Sequence, residues 1–471
     1  MLFSSPEYAC LLVAVFAAFW LLAGRRLARN LALLAASYVF YASFNFRFVA
    51  LVFLTSSLDF AIARAIASAR SATRRRLLLA TSITADLGVL AIFKYFNFFS
   101  REIADLLGHL GVPADPFLLS VALPVGISFY TFKSLSYTID VYRGAMKPGE
   151  SYLEYLVYVA FFPQMAAGPI ARAGSLLPQL ARSPALTAEN GSRAFFLIGV
   201  GLVKKIAIAD YLGAHMVGQV FTNPEMYTSL EALAGVYAYT FQIYADFSAY
   251  SDIAIGSALL LGIETPANFD APYRAASLRE FWKRWHISLS TWLRDYLYIP
   301  LGGSRKGPAR TYAALATTML LGGLWHGASL TFVAWGAMHG GALVLTRVWQ
   351  RLRGKSRAAG PLWRAACVVL TFHFVAAAWV FFRAPSFEVA LGVFSSIASL
   401  SGGAANVPWT VVAVLAVALA THWIPAGWME RARSLFARMP PPLQAAILVA
   451  VIVAVRELAR SEVSQFIYFQ F

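Results

Sequence analysis

Apolar stretches that approach or reach the length of a bilayer crossing recur from one end of this 471-residue chain to the other, near residues 8–23, 29–43, 47–65, 77–98, 117–139, 153–171, 193–209, 229–245, 311–330, 331–347, 362–382, 405–424 and 442–456. A spanning helix needs about 20 mostly apolar residues, and in lipid every backbone polar group has to be satisfied inside its own segment. The recurrence therefore confines the chain to one fold class, an all-α polytopic membrane protein with about ten to twelve transmembrane helices. Windows 29–43 and 442–456 fall short of a comfortable span, and polar or broken ones such as 153–171 are expected to be re-entrant, which is tolerated only where protein or a cavity buries the backbone. Composition closes the soluble alternative: 13% of the residues are charged, where a soluble chain carries about a quarter. Mean hydropathy is +0.62. No tandem repeat or low-complexity linker divides the chain, so residues 1–471 read as one domain.

The 39 Lys and Arg against 23 Asp and Glu leave a net charge of +16. In a membrane protein such an excess sits in cytoplasmic loops, so a nucleic-acid role is not expected. Arg25, Arg26 and Arg29 follow the first window, and no basic segment precedes it, so that window is expected to stay as an anchor with the N-terminus extracytoplasmic. The next two windows form a hairpin returning to a second basic run at Arg64, Arg70 and Arg74 to Arg76, which agrees on the cytoplasmic side. The same rule puts Phe98 to Phe117 outside and Tyr142 to Ser151, Arg347 to Arg364 and Arg431 to Arg438 inside. Cys10 and Cys367 lie in apolar runs without metal-ligand or disulfide spacing.

The longest stretch that cannot span, Glu264 to Arg310, contains SLREFWKRWHISLSTWLRDYLYIPLGG. Ser277 with Glu280 three residues on is a capping box, and Pro300 with Gly302 and Gly303 stops the helix. Trp282, Trp285, Leu289, Trp292 and Tyr296 recur at helical spacing, with His286 at the margin of that face, which predicts an amphipathic interfacial helix. Tryptophans and cations at a headgroup boundary produce the same stripe; a histidine among them, able to donate, accept or shuttle a proton near neutral pH, is a candidate for chemistry.

A second histidine, His326, sits in TTMLLGGLWHGASLTFVAWGAMHGG, which has no formal charge between Arg310 and His339. Ionisable groups at membrane depth are costly and mark reaction sites or pathways. Gly322, Gly323 and Gly327 around it would let backbone or a ligand approach closely; a neutral histidine bonded between helices is the alternative. His339, thirteen residues on, lies roughly 220° round a continuous helix, so it reads as structural and separate from His326 unless the helix breaks. In TFQIYADFSAYSDIAIG, Gln242, Asp246 and Tyr250 recur every four residues with Tyr239 one turn earlier, a polar seam along one face. Asp246 and Asp252 need partners, expected to be Arg or His of another helix; an internal brace and direct chemistry both fit Asp246. No HExxH, GxSxG or phosphate loop is present, which removes zinc protease, serine hydrolase and nucleotide-driven transport.

Together these stretches resemble the membrane-bound O-acyltransferase superfamily, and within it the bacterial branch of alginate O-acetylation membrane proteins. The resemblance rests on LPVGISFYTFKSLSYTIDVYRG (Leu123 to Gly144), FFPQMAAGPIAR (Phe161 to Arg172), QIYADFSAYSDIAIG (Gln242 to Gly256), NFDAPYRAASLREFWKRWHISLSTWLRDYLYIPLGG (Asn268 to Gly303), GGLWHGASLTFVAWGAMHG (Gly322 to Gly340) and the terminal FIYFQF (Phe466 to Phe471). WHISLS and LWHG in this order, with their histidines 40 residues apart (326 minus 286), are its most specific part. Ala249 departs from the glycine common in the FSGYSD motif, a small-for-small change.

The resemblance implies a ring of helices around a funnel or tunnel, His326 where two substrates meet and His286 as the second polar site. Trp325, Trp285, Trp282, Asp246, Gln242, Tyr250 and Ser288 are expected to line or support the tunnel. It further implies an acyl group, usually acetyl, taken from a cytoplasmic thioester donor such as acetyl-CoA, with no permanently bound cofactor and no metal. The acyl group would pass across a bacterial cytoplasmic (inner) membrane to an extracytoplasmic polysaccharide such as alginate, and the implied partners are membrane lipid and an extracytoplasmic SGNH-type acetyltransferase. Peptidoglycan O-acetylation and D-alanyl transfer to teichoic acid use the same chemistry and remain alternatives. A transporter is the non-enzymatic alternative, but the repeated halves of transporters are not visible. Acyl transfer to a hydroxyl needs a base near neutral pKa, which an imidazole supplies, and Trp325 and Trp285 would keep water from the thioester.

Overall fold

A computed structural model of the chain describes residues 1–165, 168–353, 360–458 and 466–467. Residues 354–359 of the basic stretch Arg347 to Arg364, and residues 468–471 of the terminal FIYFQF, lie outside the described residues. Among the described residues every regular element is a helix. Four helical runs, Arg26–Asn45, Arg47–Ser68, Ala72–His109 and Pro361–Arg383, meet both the length and the hydropathy of a membrane span. The expectation of ten to twelve crossings also counted windows that fold as helices of lower hydropathy. Ser229–Leu260, Pro308–His326 and Leu330–Arg353 are 32, 19 and 24 residues long, enough for about 30 Å or more at 1.5 Å per residue. What lowers their hydropathy is polar and glycine positions.

The chain divides into two compact units, Met1–Ala194 with Ala254–Pro266, and Phe195–Ile253 with Ala267–Phe471. In the first, Leu21, Phe46 and Leu77 are exposed, as lipid-facing positions are. One carboxylate there is paired: Arg26 makes a two-pronged contact with Glu154 at 2.6 and 2.9 Å, and Asn30 donates to the same carboxylate at 3.1 Å. Window 153–171 is broken into pieces too short to span. A nine-residue helix Tyr152–Ala160, buried from Glu154 on, is followed by the buried four-residue Phe162–Met165. The N–H of Phe162 is satisfied by Ser37 Oγ at 3.2 Å.

The second unit is built on a tight helical hairpin, Pro308–His326 and Leu330–Arg353. Glycines set its closeness: a Cβ on Gly323 would run into the Phe332 carbonyl, one on Gly336 into the Met319 carbonyl, and one on Gly327 into the Phe332 ring. Those near His326 therefore serve helix packing, a bland use that the sequence left beside ligand approach. Ser329 Oγ accepts from the Thr331 N–H at 3.3 Å and starts the return helix. The expected single amphipathic helix from Ser277 is instead two seven-residue helices, Leu278–Arg284 and Ile287–Leu293, followed by a π-helical turn Arg294–Tyr298. The Ser277 cap forms, with its Oγ accepting from the Glu280 N–H at 3.2 Å, while Glu280 reaches one residue further back and accepts from the Ala276 N–H at 3.0 Å. The break falls at His286, whose φ of 41° and ψ of 57° are left-handed. Neither half can reach across a bilayer.

Candidate functional site

His326 is the last residue of its helix, because Gly327 takes an extended φ of −159° and ends it. The imidazole is buried and meets three rings edge-on: Trp325 at 4.9 Å, Trp335 at 5.2 Å and Phe382 at 5.1 Å between centroids. Trp335 also lies 4.8 Å from His339 and stacks on Trp379 at 5.6 Å. The separation expected between His326 and His339 assumed a continuous helix. The chain turns at residues 327–329, so the two imidazoles lie on two helices and share the Trp335 ring. Among the described residues neither ring nitrogen of His339 has a hydrogen-bond partner.

His286 is fully buried. Its ring lies 4.6 Å from Phe247 and 6.2 Å from Trp325, so Trp325 stands beside both His286 and His326. Burial pushes its imidazolium down to about 3, which keeps the ring neutral at ordinary pH. Polar contact comes from Asn268, whose Oδ1 lies 3.1 Å from His286 Nδ1 and accepts from Ser288 N–H at 3.2 Å and Ser288 Oγ at 2.8 Å. Asn268 is held in turn by its Nδ2 donating to Ser251 Oγ at 3.1 Å, and its own carbonyl accepts from the Ile287 N–H at 2.9 Å. The stripe of tryptophans is not an interfacial belt: Trp285 and Trp292 are buried in protein, Trp285 against Phe281 at 5.6 Å and Trp379 at 4.9 Å.

The seam on Ser229–Leu260 is charge-paired by lysines, not by the Arg or His expected. Asp246 contacts Lys205 Nζ at 2.9 Å and accepts from the Ile467 N–H at 2.8 Å, Lys205 also holds Asp210 at 2.7 Å, and Lys204 holds Asp252 at 2.7 Å. Tyr250 stacks on Phe466 at 3.9 Å, and the Gln242 amide packs where Gly213 leaves room. These are the contacts of a brace that also docks the C-terminal segment.

A cavity of about 530 Å³ opens in the same unit. Arg279, Lys283, Arg294 and Arg347 line it together with apolar side chains, and among the described residues no acidic one does; Arg294 is paired with its neighbour Asp295 at 2.7 Å. Trp282 forms part of its wall and also lies 5.2 Å from His339 and 5.8 Å from Trp335. Among the described residues no three His, Cys, Asp or Glu side chains converge as a metal site would require. Asn268, Trp335, His339 and the two lysines were not singled out from sequence as parts of the site. Lys204 and Lys205 inside an apolar window were a visible signal for partners of Asp246 and Asp252; Asn268, in an irregular segment, follows no period.

Residues 77–383, which include both histidines, match the membrane-bound O-acyltransferase family. The chain is 42% identical over 406 residues to the Pseudomonas aeruginosa protein named probable alginate O-acetylase AlgI, covering 85% of this chain and 75% of that one. It is 34% identical over 396 residues to the peptidoglycan O-acetyltransferase of Helicobacter pylori, 79% and 74% of the two chains. To the teichoic acid D-alanyltransferase of Streptococcus thermophilus it is 30% identical over 241 residues, 48% and 57%. With the family match spanning well over half of its length and an all-helical fold rich in apolar spans, this chain belongs to the membrane-bound O-acyltransferase family and is a multi-pass membrane O-acyltransferase.

Proposed function

We propose that the protein takes an acetyl group from a cytoplasmic acyl thioester such as acetyl-CoA and passes it across the bacterial cytoplasmic membrane for O-acetylation of an extracytoplasmic polysaccharide such as alginate. The observation that carries this reading is the cationic cavity whose wall residue Trp282 packs on Trp335, the ring that touches His326. Arg279, Lys283 and Arg347 suit the phosphates of an anionic donor, and the aromatic side chains behind them suit an uncharged arm. His326 acts as the base: its neutral imidazole takes the proton of the acceptor hydroxyl as that oxygen attacks the thioester carbon. A C–O bond forms, the C–S bond breaks, and the departing thiolate takes the proton back from the imidazolium. Trp325, Trp335 and Phe382 around the ring limit water, which would otherwise hydrolyse the thioester.

The acceptor reading follows the relatives: identity is 42% to the alginate relative against 34% to the peptidoglycan one. An extracytoplasmic SGNH-type acetyltransferase is the partner we infer for the last transfer, with the N-terminus outside. The test is complementation of a strain lacking the gene. A His326→Gln variant, expressed and inserted normally, should lower polymer acetylation by about 10² to 10⁴-fold, the usual worth of a positioned base. Acetylation at the wild-type level by that variant overturns the assignment.

A further inference from the structure

We propose that Asn268 is the positioning residue that holds His286 in a single neutral tautomer, with the proton on Nδ1 and the lone pair on Nε2. The proposal deepens the reading of His286 as the second polar site and rests on it. The geometry decides which atom of Asn268 faces the ring. The backbone N–H of Ser288 can only donate, and it points at the same amide atom as His286 Nδ1, at 3.2 and 3.1 Å. That atom must therefore be the carbonyl oxygen, since an NH₂ group there would set donor against donor. Ser251 Oγ, 3.1 Å from the other side of the amide, accepts from Nδ2 in this orientation. An oxygen facing Nδ1 in turn requires Nδ1 to carry hydrogen.

The surrounding backbone maintains this arrangement at a cost. His286 takes a left-handed conformation at φ 41°, which is unfavourable for a residue with a side chain and persists only when neighbours over-determine it. Two main-chain bonds do so, Ile287 N–H to the Asn268 carbonyl at 2.9 Å and Asp270 N–H to the Arg284 carbonyl at 3.0 Å, tying the residue 268–270 segment across the helix break. The break thus turns the imidazole so that Nδ1 meets Asn268, and the nitrogen that meets a substrate hydroxyl or amide is Nε2, as a hydrogen-bond acceptor. A ring free to exchange tautomers would present a donor there part of the time.

The experiment is ¹⁵N spectroscopy of the full-length protein, ¹⁵N-histidine labelled and in lipid nanodiscs, with the His286 signals assigned by their loss in a His286→Gln sample. The wild type should show Nδ1 protonated and Nε2 unprotonated, and Asn268→Leu should give the other tautomer or a mixture. Nε2 protonated in the wild type, or an unchanged tautomer in folded Asn268→Leu, overturns the proposal. Acyl transfer gives the second arm. Asn268→Asp, which keeps an acceptor oxygen, should retain turnover, whereas Asn268→Leu should lower kcat at unchanged donor KM to the level of His286→Ala, with no further loss in the double variant. Loss of turnover in Asn268→Asp equal to that in Asn268→Leu, with both folded, also overturns it. If the tautomer is as stated while His286→Gln transfers at the wild-type rate, the tautomer assignment stands and the reading of His286 as a participant in the reaction fails.

Discussion

Lys205 is the residue on which most of the buried charge in the second unit depends, since its ammonium faces Asp210 at 2.7 Å and Asp246 at 2.9 Å with no exposure of its own side chain. Removing one partner of a buried pair leaves an uncompensated charge, at a cost of about 3–5 kcal/mol. Lys205→Met should therefore lower the thermal midpoint in detergent by several degrees or more, and Lys205→Met with Asp246→Asn should recover part of that loss. An unchanged midpoint in Lys205→Met would mean that the network contributes nothing to stability. The need of Asp246 for a partner was legible in the sequence, but the partner was not. Lys205 and Asp210 are five apart and fall on different faces of an α-helix; they meet because Lys204–Asp210 is a π-helical turn, with its i to i+5 closure. His326 stood out for the opposite reason: an ionisable ring in an apolar stretch is conspicuous without any knowledge of the fold, and His286 stood out as a titratable ring among the tryptophans of its stripe. Asn268 had no such contrast.

At the scale of elements, the hairpin of Pro308–His326 and Leu330–Arg353 stands on backbone contact that only glycine permits. Gly336→Val should separate the two helices, because the new Cβ would overlap the Met319 carbonyl, at about 1–3 kcal/mol or more for overpacking. Gly341→Ala, five residues on where nothing lies within 4 Å, should be neutral or slightly stabilising, since alanine is the better helix former. Thermal unfolding of the two variants side by side checks this, and equal midpoints would refute close packing at Gly336. Helix existence was readable from apolar windows, and even the division at residue 330 was. The break at His286 was not, because Trp282, Trp285, Leu289 and Trp292 keep helical spacing straight through it. The tertiary pull of the 268–270 segment decides that point, and periodicity carries no trace of it.

For the whole molecule, the distribution of Lys and Arg predicts that the run Arg74 to Arg76 faces the cytoplasm. In a background without Cys10 and Cys367, Arg74→Cys should react with a membrane-impermeant maleimide only after the membrane is opened. Labelling in intact cells would reverse the topology and with it the side from which the donor enters. Class and family were legible at this scale because lipid demands long apolar helices and because WHISLS and LWHG are specific. The number of spans was less so, since helices such as Ser229–Leu260 hold polar groups inside protein and hydropathy alone misplaces them.

We propose that a donor held at the cationic cavity is attacked by a hydroxyl whose proton goes to His326. Purified protein in nanodiscs, given a non-hydrolysable acetyl-thioester analogue for binding and the true thioester for transfer, separates the two roles. His326→Ala should bind the analogue within about twofold of the wild type while transfer falls by about 10² to 10⁴-fold. Transfer by His326→Ala at the wild-type rate, or loss of analogue binding in step with transfer, would contradict the account.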